Sequence, residues 1–202
     1  MLNNKQTKMV AVGSVLFLVL LFTSLYFMRS GGGSPEANLP QTFLLSRKTA
    51  ALISQNIVDL TNKTGEKISS ANTADLAGDR ARASSLILEA QNTNVEASRA
   101  ASQLAGQLKV LTESLATMSS VSSQRLAYEA VATELALVSE FVVYTQNLNE
   151  FLEKLLVSME TDTKVSKADI ASSLTATNKS ARKINSLNAE FSDRMAKLDK
   201  SF

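Results

Sequence analysis

Glu134 is the acidic member of an otherwise apolar stripe, with Ala130, Leu137, Phe141, Tyr144, Leu148, Phe151 and Leu155 following at steps of three and four. A carboxyl on such a face loses hydration and holds its proton to higher pH. That makes it a candidate acid–base or cation-binding group. Carboxylate-only hydrolysis of the glycosidase kind needs a pair of carboxylates, and no second one shares this stripe. Glu134 is therefore expected to be structural, at the edge of a helical bundle or paired with a Lys or Arg of the last helix. The chain contains no Cys and no His. Ser-His-Asp and Cys-His catalysis, the common zinc sites and the Glu-x-x-His di-iron motif are thereby excluded. Gly31 to Gly33 lack the Gly-Lys-Ser/Thr of a phosphate loop. No catalytic residue, no metal and no cofactor are expected, and the chain reads as a non-enzyme.

Two further sets of side chains fall at seam positions. Asn94, Asn149 and Asn188 interrupt apolar seams. Buried amides fix helix register and order, and that role is preferred to a polar ligand cluster. Phe141, Tyr144 and Phe151 share one face. An aromatic stripe at helical spacing is ordinary core. The competing reading is one wall of a pocket for a small apolar or amphipathic ligand.

The elements that must carry these residues are helices. No proline follows Pro40, and proline is the strongest helix breaker. One seam runs Ile87, Ala90, Asn94, Ala97, Ala101, Leu104, Leu108, Leu111, Leu115, Met118, and another runs Ile170, Leu174, Thr177, Ala181, Ile184, Asn188, Phe191, Met195, Leu198. Both keep heptad spacing. A weaker seam runs Phe43, Ser46, Ala50, Ile53, Ile57, Leu60, Thr64, Lys67, Ala71, with Ile68 beside it. The Glu134 stripe has a second beside it, from Val131 through Leu135, Val138, Val142, Thr145 and Asn149 to Leu152, Leu156 and Met159. A face that wide needs more than one neighbour.

Turns are expected at Gly78-Asp79, at the serines of 118–124 and at Ser166-x-x-Asp169, a variant of the capping box. The predicted helices are 41–77, 79–118, 122–160 and 166–199. The fold class is all-α: an antiparallel up-down four-helix bundle over 41–202. The alternative is a long helical hairpin or coiled coil in which the serine turn is helical and the second and third segments fuse. Residues 113–162 carry eight acidic and two basic side chains, and residues 164–202 carry eight basic and four acidic. The last two helices should therefore lie side by side.

Ahead of the bundle, no ionisable side chain occurs between Lys8 and Arg29. Residues 9–28 would span about 30 Å as a helix, the thickness of a bilayer core. The run is too long for a signal-peptide core, and Tyr26, Phe27 and Met28 stand where a cleavage site needs small residues. It reads as an uncleaved single-pass transmembrane anchor. A short cytoplasmic tail, 1–8, precedes it, and a Gly/Ser/Pro linker, 29–40, follows. Lys5 and Lys8 favour a cytoplasmic N-terminus and an extracytoplasmic C-terminal domain.

The expected function is a membrane-anchored interaction or scaffolding module in the cell envelope. The alternative is a small-ligand-binding or sensory helical module lacking its own output domain. The expected partners are the lipid bilayer through 9–28 and another protein, with a homo-oligomer as a further option. The net charge of +2 offers no surface for nucleic acid.

Overall fold

The computed structural model describes residues 41–116, 120–159 and 165–201. The tail, anchor and linker of 1–40, and the seam residue Met118, lie outside the described residues. Four helices make up the described chain: α1 (Gln41–Leu76), α2 (Arg80–Leu115), α3 (Val121–Met159) and α4 (Lys167–Asp199). No helix among the described residues is long and apolar enough to cross a membrane.

Local chemistry ends each helix where the sequence places a break. Gly78 has φ +84°, the left-handed conformation that a Cβ disfavours. Its N–H donates to the Asp75 carbonyl at 3.0 Å, and the Asp79 N–H donates to that of Ala74 at 2.9 Å. The Asp79 carboxylate then accepts from the Arg82 N–H at 3.0 Å and caps α2. At the serine turn, Ser120 Oγ accepts from the Ser123 N–H at 3.3 Å, and the Gln124 side-chain amide donates to the Leu115 carbonyl at 2.9 Å. Ser120 thus satisfies the start of α3, and Gln124 reaches back to satisfy the end of α2. Segments two and three are therefore separate helices and do not form the fused rod. Ser166 accepts from the Asp169 N–H at 3.1 Å, as the capping-box spacing predicts.

Each helix packs closely on its neighbour in sequence: α1 on α2, α2 on α3, α3 on α4. The seam of α2 is buried from Ile87 to Leu115, with Ala90, Ala97, Ala100 and Ala101 letting neighbouring helices approach. The charge asymmetry is realised between α3 and α4, where Lys183 pairs with Glu140 and Arg194 with Glu129.

The first seam is corrected. Lys67 leaves the interior and pairs with Glu89 of α2, while Ile68 is buried in its place. Likewise Ser54 and Thr61 are buried where Ile53 and Leu60 were expected at the centre. A straight helix drifts about 20° per heptad against a 3.5-residue repeat. In α1 only the alternate seam positions shift, since Ile57, Thr64 and Ala71 stay buried where the seam places them, so the helix is turned by a fraction of one residue. The buried hydroxyls cost little, because Ser54, Thr61 and Thr64 each donate to the carbonyl four residues back in their own helix. In α3 the Glu134 stripe is buried throughout, but Leu135 of the second stripe is 39% exposed.

Candidate functional site

The buried carboxyl lies at the end of the bundle where α1 begins and α4 ends. Glu134, on α3, is 4% exposed. It lines a cavity of about 20 Å³, room for one water. Phe43, Arg47 and Ala50 of α1 close one side, and Phe191, Met195 and Leu198 of α4 close the other. Burial pushes the Glu134 carboxyl up from its ordinary 4.5 to about 8, and the Arg47 guanidinium opposes the shift. A protonated carboxyl at neutral pH is what this setting favours. Arg47 Nη2 also bonds Asp199 Oδ1 at 3.3 Å, tying the start of α1 to the end of α4.

The expectation that Glu134 lies at the bundle edge or pairs with α4 is thus corrected. It is inside, and the charge acting on it comes from α1. Arg47 was missed because it falls between the seam residues Ser46 and Ala50. Its only sequence signal is a place one turn after Phe43, on the flank of α1 that faces α4. Glu134 is the one carboxylate among the residues lining this cavity. Among the described residues no group of three or more Asp or Glu could hold a metal ion.

The three seam asparagines separate. Asn94 of α2 donates through Nδ2 to the Thr145 carbonyl at 2.7 Å and to Asn149 Oδ1 at 2.8 Å, both on α3. The pair fixes the register of α2 against α3, since a slip of one turn would leave a buried amide unpaired. Asn188 is elsewhere, half-buried on α4, and its Oδ1 has no hydrogen-bond partner.

Phe141, Tyr144 and Phe151 are all in the core, at most 1% exposed. The Phe141 and Tyr144 rings lie 5.8 Å apart, tilted by 34°, a favourable aromatic spacing. The Tyr144 hydroxyl is buried without a hydrogen-bond partner, and burial raises its pKa. The cavity beside Glu134 does not include any of the three rings.

No protein-family model, no curated protein and no solved structure matches the chain.

Proposed function

We propose that this chain is a non-enzymatic helical bundle tethered to a membrane and working outside the cytoplasmic membrane as an interaction or scaffolding module. The observation that carries this is the charge-free run of residues 9–28, followed by the Gly/Ser/Pro stretch of 29–40. A run of that length suits a bilayer span. Three successive glycines suit a flexible joint better than a rigid coupling. The four helices that follow supply a stable body whose interior is occupied by packing.

A ligand-binding or sensory module is the second reading, resting on the wide apolar face of α3. Ordinary ligand pockets begin near roughly 300 Å³, whereas the Glu134 cavity holds about 20 Å³, so we rank this reading lower.

The location is tested by adding protease to intact cells, or to spheroplasts where an outer membrane is present. Residues 40–202, followed through a C-terminal epitope, should be digested. Protection that persists until the inner membrane is broken would reverse the orientation.

A further inference from the structure

We infer that the outward face of α3 is a docking surface for a second copy of this chain, packed antiparallel about a two-fold axis near Leu137–Val138. The inference deepens the interaction-module reading by naming the partner and the face.

The outward positions of α3 are uncharged from Ala130 to Gln146. Two acidic residues fall within that stretch, and neither reaches the outer face. Glu134 is buried, and Glu140 turns to α4 and pairs with Lys183, its side chain 11% exposed. What remains outward is uncharged and mostly small: Ala132, Ala136, Ser139 and Val143, with Gln146 at one end and Tyr128 and Leu135 at the flank. Tyr128 and Leu135 are each 39% exposed and Val143 is 42% exposed. Among the described residues nothing covers them further. The outer faces of the other helices carry charges, such as Lys48, Asp59 and Lys63 on α1 and Arg82, Glu96 and Arg99 on α2.

Charge at the two ends of this face selects the occupant. Arg125 precedes it, its side chain 75% exposed and loosely paired with Glu129 at 4.0 Å. Glu150 follows it, its side chain 59% exposed and paired with Lys154 one turn on in its own helix. These two residues are equidistant from the midpoint between Leu137 and Val138. A two-fold axis there places Arg125 of each copy beside Glu150 of the other. The same axis sets Ala136 opposite Ser139 and Ala132 opposite Val143, so small residues meet at the centre and allow close approach. An isologous contact needs this self-complementarity, and a parallel arrangement would set like charges together. From Arg125 to Glu150 the face is about 38 Å long. A strip about 15 Å wide buries roughly 1,100 Å² over both copies, at the lower bound for a specific interface. Confinement to one membrane would raise the effective concentration enough for an interface of that size.

The test uses the full chain, which lacks cysteine, so each introduced thiol is unique. Under mild oxidation in cells, Ala136→Cys and Ser139→Cys should each give disulfide-linked dimers, and Tyr128→Cys should give none. Arg125→Glu or Glu150→Arg should each lower the cross-linked fraction several-fold, and the double charge swap should restore it. Both positions are exposed, and circular dichroism of each variant checks that the fold is intact. Absence of dimers at 136 and 139, efficient cross-linking at 128, or no rescue by the double swap each overturns the inference. Protease protection reports on location alone, so failure of the membrane reading and failure of the dimer are told apart.

Discussion

Glu134 is the residue whose chemistry departs furthest from its solution behaviour. Its folded pKa of about 8 lies above the ordinary 4.5, so the folded chain binds the proton more tightly than the unfolded one. Below 4.5 both states are protonated and the residue costs nothing. As pH rises through the window from 4.5 to about 8, the unfolded state gains by ionising while the folded state does not, and stability falls. Above about 8 the loss levels off. At roughly 1.4 kcal/mol per tenfold change, the full window corresponds to at most about 5 kcal/mol. Glu134→Gln keeps the shape and removes the titration. Its melting temperature should match the parent near pH 4, rise above it progressively towards pH 8 and stay above it at a constant interval beyond. Thermal melts followed by circular dichroism across that range check this. An offset that does not vary with pH would show that the carboxyl does not titrate in this window. Sequence makes the burial of Glu134 legible only in part. The stripe marks it as seam-facing, but its position inside, opposite Arg47, depends on how α1 is rotated, and no single helix records that.

At the scale of elements, turn chemistry decides where one long helical pattern becomes four helices. A Cβ at Gly78 would meet nothing within 4 Å, so replacing this glycine brings no steric clash. The remaining penalty is the left-handed backbone, and Gly78→Ala should cost about 1 kcal/mol. Equilibrium urea denaturation should show a lower midpoint with an unchanged slope, as expected when stability changes but surface exposure does not. No measurable loss would mean that the α1–α2 turn is not left-handed in solution. The helices themselves were readable within a few residues, because Gly78-Asp79 and Ser166-x-x-Asp169 are strong local signals. The Ser120 cap was ambiguous, since four serines lower helix propensity without forbidding it. The inward face of α1 was misread because its Ser and Thr residues carry little hydropathy contrast. A heptad drawn through Lys67 and one drawn through Ile68 then look alike, and only the 3.6-residue period separates them.

Across the whole molecule the four seams are unequal. No Cα of α1 comes within 8 Å of a Cα of α4, whereas each pair of consecutive helices is in close contact. The outer pair is joined at one end by Arg47–Asp199 and the side chains around the Glu134 cavity. Asn72 is about seven turns from Arg47 on α1, and Asn188 about three turns from Asp199 on α4, so both share the faces of that ion pair. Each has a buried side-chain oxygen without a hydrogen-bond partner, an arrangement that disfavours tight closure. The bundle is thus two hairpins packed together through α2–α3, with α2 and α3 each held along two sides and α1 and α4 along one. Local opening follows the weakest contacts. Amide hydrogen exchange should show α1 and α4 opening at lower free energy than α2 and α3, least protected in the half of each helix away from the Arg47–Asp199 end. Asp199→Asn should extend that loss of protection to the start of α1 while α2 and α3 remain unchanged. Uniform protection across all four helices would mean that the α1–α4 seam closes as firmly as the others, and the molecule would then open as one unit.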